Sequence, residues 1–230
     1  MPRYAIDPKT GDKVAAKDWE LHHKGETAEC PVCGGDLKIR ADSTPDTTIH
    51  FWHTRGSNCP TIKHNREKYD NLQPIEKDYN NAKEIKKSLL SNLEIVFQEC
   101  IRIYGKKGFK RSDFKALIRK ASENNIWFYK GLTMKYLPYV LLVNYGVFQK
   151  ADHRKEKVYF VFDEKLSNYD DLWINQGKMK QTIFKVYADR NNEVDEVKIN
   201  FDTSTLDPGY FLFYVTGFQG TKKEQDFLDW

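Results

Sequence analysis

Cys30-Pro31-Val32-Cys33-Gly34-Gly35, followed by His50-Phe51-Trp52-His53 and then Cys59, decides how the first quarter of this 230-residue chain is read. The spacing is C-x2-C-x19-H-x5-C. Two cysteines two residues apart sit at the tip of one tight turn, so both sulfurs reach a common point. A His–Cys pair returning from a second loop closes a tetrahedron around that point. Soft thiolate and imidazole ligands in four-coordinate geometry suit zinc, which has no redox chemistry of its own. Gly34 and Gly35 fit such a knuckle because glycine accepts positive φ at no steric cost. Cys30, Cys33, His53 and Cys59 are therefore the candidate metal ligands and Zn2+ the candidate cofactor; a free or disulfide-bonded cysteine cluster is the alternative. His53 is preferred to His50 because its five-residue gap to Cys59 matches a short return spacing. His50 is expected to pack beside the site or to hydrogen-bond a ligand. His22 and His23 lie in a charged stretch and are expected to face solvent. Three cysteines and a histidine leave no open coordination position, so a structural metal is expected.

Short strands surround these ligands. Arg3–Asp7 alternates, Pro8-Lys9-Thr10-Gly11 is a turn signal, and Lys13–Ala16 pairs back as a hairpin. Residues 27–33 and 36–40 flank the first knuckle, Ser43–Thr47 is a polar loop, and Thr48–Trp52 returns to the metal. The outline is a zinc ribbon over residues 1–65. A module of that size builds too small a core to fold unaided, which is why it needs the ion.

Tyr4-Ala5-x-Asp7, Cys30-Pro31-x-Cys33-Gly34-Gly35, His50-Phe51-x-His53 and Cys59 together resemble the N-terminal zinc-finger region of the CoiA-like competence protein family, over residues 3–60. The resemblance implies a setting in bacterial or phage DNA handling. In that family the finger is commonly followed by a nuclease-like domain, opened by a segment resembling Glu-Ser-x-x-His-x3-Lys. Here His64 and Lys68 keep the His-x3-Lys spacing, but Pro60 stands at the glutamate position. That departure removes a carboxylate that a metal-dependent nuclease would use.

No run approaches the ~18 apolar residues that span a bilayer, and the N-terminus lacks a basic-then-apolar leader. A cytoplasmic, soluble protein without membrane partners is expected. Four cysteines, three of them in one cluster, fit a reducing compartment, and Cys100 falls in an apolar helical pattern as a buried thiol. The net charge of +4 is unevenly spread. Residues 1–82 carry 12 basic and 13 acidic side chains, residues 83–135 carry 13 and 5, and residues 136–230 carry 12 and 15. The middle of the chain is therefore where a polyanion would be attracted.

Residues 74–104 read as one long helix or two abutting ones, with apolar residues from Ile75 to Ile103 at three- and four-residue spacing and Gly105 as the stop. Ser112 is the expected N-cap of a second helix carrying Phe114, Leu117, Ile118 and Ala121 on one face. A third helix is expected over 133–145, with Pro138 near its start. Strand-like runs Val147–Lys150 and Lys157–Phe162 then bracket the charged loop Ala151–Glu156. Three helices and a basic-tipped hairpin give the order of a winged helix, though the loop after the second helix is long for one. Three C-terminal strands are expected at Thr182–Tyr187, Glu193–Phe201 and Tyr210–Val215, before the acidic-aromatic end at Trp230. The expected fold class is α+β: a zinc ribbon (1–65), a basic helical unit with the element order of a winged helix (66–166), and an antiparallel sheet (167–230).

The expected function is non-enzymatic binding of nucleic acid, DNA in preference to RNA. Lys106, Lys107, Lys110, Arg111, Lys115, Arg119 and Lys120, with Arg154 and Lys155 of the hairpin tip, are the candidate phosphate ligands. Trp127, Phe128 and Tyr129 either interleave with that charge or belong to the core. Two other classes stay open. One is a metal-dependent nuclease using Glu196 and Lys198, an E-x-K pair on one strand face, with Asp163 or Asp189 as further carboxylate; cross-strand Glu/Lys pairs also arise without catalysis. The other is an adaptor whose ribbon and C-terminal sheet grip a protein partner. No G-x-S-x-G elbow or glycine-rich phosphate loop occurs.

Overall fold

The computed structural model describes residues 2–40, 49–163, 165–190 and 192–206. The Ser43–Thr47 loop, the Tyr210–Val215 strand and the segment ending at Trp230 lie outside the described residues. Among the described residues the fold is mixed α+β, with seven α-helices and two antiparallel sheets.

The first sheet begins as the sequence indicates. β1 (Tyr4–Ile6) pairs with β2 (Lys13–Ala15). The Asp7 carboxylate accepts the Lys9 N–H at 2.8 Å and pins the turn, as an aspartate in this position does. The chain then enters α1 (Ala16–His22), a helix the charged sequence conceals. Its Trp19 is buried, stacks on His23 with centroids 4.3 Å apart, and meets Phe51 edge-on. β3 (Ala28–Glu29), β4 (Asp36–Arg40) and β5 (His50–His53) complete the order β2-β1-β3-β4-β5. On β5 His50, Phe51 and His53 are buried and Trp52 is exposed.

A short helix, α2 (Lys63–Arg66), leads out of this sheet. The predicted long helix is two: α3 (Tyr79–Ser91) and α4 (Leu93–Tyr104), broken at Asn92. Asp78 caps α3 by accepting the Asn81 N–H at 2.9 Å. Gly105, at φ 101°, ends α4 in a conformation that favours glycine. α5 (Arg111–Glu123) starts one residue before the predicted cap. Lys110, not Ser112, takes the cap position, and Asp113 accepts the Lys110 N–H at 2.8 Å. α6 (Leu137–Asn144) is shorter than the predicted 133–145, with Pro138 in its first turn, and all eight of its residues are buried. A recognition helix must show a polar face to a groove. The third helix of this unit has none.

The second sheet is a four-stranded meander of β6 (Val147–Phe148), β7 (Val158–Val161), β8 (Thr182–Tyr187) and β9 (Glu193–Lys198). A one-turn helix, α7 (Asp171–Ile174), lies between β7 and β8. β7 pairs with β8 from Val158↔Tyr187 to Val161↔Phe184, so the predicted hairpin and the predicted C-terminal sheet are one sheet. The expected boundary at 166/167 falls between hydrogen-bonded neighbours. The boundary at 65/66 is also crossed. The Tyr159 hydroxyl donates to the Thr61 carbonyl at 3.2 Å, and the Tyr169 hydroxyl to the Tyr69 carbonyl at 3.2 Å. Much of the aromatic content lies in the core, where Tyr104, Phe148 and Phe160 meet with centroids 5.1–5.9 Å apart.

Candidate metal centre and basic clefts

Cys30, Cys33, His53 and Cys59 converge from the β3–β4 turn, the end of β5 and the loop after it. One ligand atom from each lies within 4.8 Å of all the others. Cys30 Sγ and Cys59 Sγ are 3.8 Å apart, and Cys33 Sγ is 3.7 Å from His53 Nε2. A sulfur–sulfur separation of that size is no disulfide, and all four cysteines of the chain are free thiols. The turn is built for the sulfurs. Gly34 sits at φ 69° with its N–H on the Cys30 carbonyl at 2.8 Å. The Gly35 N–H donates to Cys33 Sγ at 3.3 Å, where a side chain on Gly35 would also crowd that sulfur. Thr61 holds Cys59 from the far side at 3.2 Å. His50 is buried on the same strand but is not part of the group.

Hydrogen bonds with Cys30 and Cys59 hold the Cys33 thiol far below the usual thiol range, while hydrogen bonding to Cys33 and Cys59 and burial push Cys30 far above it. Burial opposes charge on His53, but its hydrogen bonds to Cys33 and Cys59 outweigh that and push the imidazole up to about 9. The group thus favours a thiolate beside an imidazolium. A metal ion bound by thiolates and neutral imidazole would replace those protons with its own charge. The Cys3His group can hold a metal ion. Cys100, by contrast, is wholly buried and its thiol is raised by desolvation.

The candidate phosphate ligands divide. Lys106 and Lys107 and, from a distant segment, Lys155 line one concavity of about 540 Å3 with Lys185 and Arg190. Its acidic members are Asp152 and Glu156, and Glu156 is paired with Arg190. Lys185 is buried. Its ammonium donates to the Tyr104 carbonyl and lies 4.8 and 4.7 Å from the Tyr104 and Tyr187 ring centroids. Arg154 corrects the sequence reading. It is 7% exposed, and its guanidinium donates to Asp113 at 3.1 Å and to the Gly108 and Gln149 carbonyls at 3.2 and 2.6 Å. His153 Nε2 adds a 2.8 Å contact to the same carboxylate. Arg154 is a clasp between the β6–β7 loop and the start of α5: it borders the same concavity, but each of its three nitrogens already donates to a protein oxygen. Lys110, Arg111 and Arg119 are exposed, and Arg111, Lys115 and Arg119 share a helix face at four-residue spacing. Arg111 is 3.2 Å from Glu94, and Lys120 is 3.7 Å from Glu123. Trp127 is core: it is 1% exposed and donates to Ser122 Oγ at 2.9 Å.

Asp163 follows β7, and Glu196 and Lys198 lie on β9. Both Asp163 oxygens accept backbone N–H groups, from Lys165 at 3.1 Å and Lys180 at 3.4 Å. Glu196 and Lys198 are exposed on β9, and Asp189 pairs with Lys150 at 3.1 Å. Among the described residues, no three Asp, Glu, His or Cys ligand atoms cluster except in the Cys3His group.

A second and larger concavity, of about 1060 Å3, went unseen in the sequence. It lies between β5, the loop after it and α2 on one wall, and β6, β7 and the end of β8 on the other. Its cations, Arg55, Lys63, Arg66 and Lys157, are scattered singly along the chain, so no charge run announces them. Among the described residues no helix is long and apolar enough to cross a membrane. Comparisons of the chain with family models, with curated proteins and with solved structures each return no match.

Proposed function

We propose that this chain is a zinc-stabilised, non-enzymatic nucleic-acid-binding protein, with DNA as the favoured partner. The observation that carries the reading is the convergence of Lys106, Lys107 and Lys155 with Lys185 and Arg190 on one concave face. Lysines so gathered neutralise backbone phosphates and release counterions, which gives sequence-tolerant, salt-sensitive binding. Zinc is supported by the donor set and its dimensions. Tetrahedral bonds of about 2.3 Å to sulfur and 2.0–2.1 Å to nitrogen require ligand atoms about 3.5–3.8 Å apart, and the cluster has separations of 3.8 and 3.7 Å. Four protein ligands leave no place for a reacting water, so the metal acts by holding the first sheet together as a ribbon. The resemblance to CoiA-like proteins agrees with a role in bacterial or phage DNA handling. The buried α6 favours contact through the concave face over a winged-helix insertion into a groove.

The test is fluorescence anisotropy with labelled DNA at two salt concentrations, comparing the protein with a Lys106→Glu/Lys107→Glu variant. Binding that weakens steeply with salt, and weakens further in the variant with a shallower salt slope, is the expected result. Salt-independent binding, or none at low salt, would remove the reading.

A further inference from the structure

We infer that the 1060 Å3 cleft between the two sheets is a binding site for single-stranded nucleic acid, with Trp52 as the platform on which a base stacks. The inference rests on the nucleic-acid reading above and names the form of the ligand. Three observations carry it. First, the lining contains Arg55, Lys63, Arg66 and Lys157 and no aspartate or glutamate. The carboxylates of Glu67, 3.8 Å from Lys63 Nζ, and of Asp189, 3.2 Å from the Lys157 N, lie outside it. A concave wall of one sign focuses its field on an anionic chain. Second, Trp52 is 44% exposed on that wall, in a strand whose other residues are buried. Arg40 stands 5.0 Å from its ring, a cation beside an aromatic surface. Third, Arg66 of α2 is held at 4.1 Å over the ring of Tyr159 on the opposite wall, which orients a guanidinium in the cleft before any ligand arrives.

An unpaired strand matches this combination better than a duplex. A duplex buries its base faces in the stack, whereas a single strand offers each face to an aromatic ring and its phosphates to the flanking cations. The cleft is also a pocket at the upper end of the ligand-site range of about 300–1,000 Å3, deep enough to surround a strand. Amide side chains of Asn58 and Gln149 on facing walls supply donors and acceptors for base edges.

The experiment measures anisotropy of labelled oligo(dT), oligo(rU) and a blunt duplex of equal length at two salt concentrations. The proteins are the wild type, Trp52→Ala, Trp52→Phe, Lys63→Glu/Lys157→Glu and the Lys106→Glu/Lys107→Glu variant. Retained metal content and melting temperature confirm that each variant is folded; Trp52, Lys63 and Lys157 are all exposed, so their replacement leaves the core intact. Trp52→Ala should lose on the order of tenfold in single-strand affinity and little on the duplex, with Trp52→Phe keeping most of it. Lys63→Glu/Lys157→Glu should weaken single-strand binding and flatten its salt dependence. A preference between oligo(dT) and oligo(rU) would identify the source of the strand. Wild-type binding that the Lys106/Lys107 changes reduce but the Trp52 and Lys63/Lys157 changes leave alone would overturn this inference and spare the broader reading. Equal losses on duplex and single strand in Trp52→Ala would overturn it too. No binding to any probe would overturn both.

Discussion

Asp113 takes three contacts on one carboxylate: the Lys110 N–H, His153 Nε2 and, through the other oxygen, the Arg154 guanidinium, all while sitting in the first turn of α5. Its side chain and that of Arg154 are 9% and 8% exposed, so removing either leaves a charge buried alone. Asp113→Ala is expected to cost about 3–5 kcal/mol, read as a lowered denaturant midpoint at unchanged slope. A change near zero would show that the clasp is not formed. Lys185 gives the residue scale its pH dependence. Burial lowers its pKa, against the raising fields of Asp195 and Glu156. In the window between that lowered value and the unfolded value of about 10.4, the unfolded chain holds more protons, so stability rises with pH. The stability of the protein relative to Lys185→Met should therefore improve as pH climbs through that window; a constant difference would contradict the burial. These residues also show what the sequence could reveal. The ligands Cys30 and Cys33 were legible because their geometry is made by the two residues between them. Arg154 was not, because the carboxylate that claims it lies 41 residues away and nothing local marks the pair.

At the scale of elements, patterns of one strand or helix were readable and their partners were not. The faces of α4 and α5, the stop at Gly105 and the strand-like apolar and aromatic runs of β7 and β8 follow from local periodicity, composition and turn chemistry. α1 escaped notice because one buried Trp19 among charged neighbours makes no repeat. The sheet that joins β7 to β8 escaped because more than a helical turn's worth of loop and α7 separate them, and β-pairing is non-local. The expected unit 66–166 has a testable weakness in consequence. All four residues of β7 are buried, and each of them pairs with a residue of β8, whereas only two pair with β6. A fragment of residues 66–166 is expected to lack a cooperative melting transition, whereas one of residues 66–206 should show it by near-ultraviolet circular dichroism. A cooperative melt for the shorter fragment would mean that β8 and β9 are dispensable.

For the whole molecule, the Cys3His group and the larger basic cleft meet at the segment after Cys59. Cys59 closes the metal group, Thr61 touches its sulfur, and the Thr61 carbonyl accepts from Tyr159 of the second sheet. With an ion in the Cys3His group, as proposed above, the first sheet would depend on it more than the rest does, since its core is small. Cys33→Ser is expected to lose the metal and open residues 2–60 to limited proteolysis, while α3 to α6 stay resistant. Metal retained at one ion per chain, or an unchanged cleavage map, would overturn the assignment of the ligands. The basic clefts were illegible for a reason that belongs to this scale: each is assembled from three or more segments, and charge composition reports only how many cations a stretch has, not which of them face one another.

The enclosure of α6 has a further consequence. A helix with no solvent-facing side can exchange its amide hydrogens only when the molecule opens as a whole. The last turn, Leu141–Asn144, should then exchange slowest, at a rate set by the global unfolding free energy. It becomes an internal clock carried by every sample, against which the opening of each other segment can be timed.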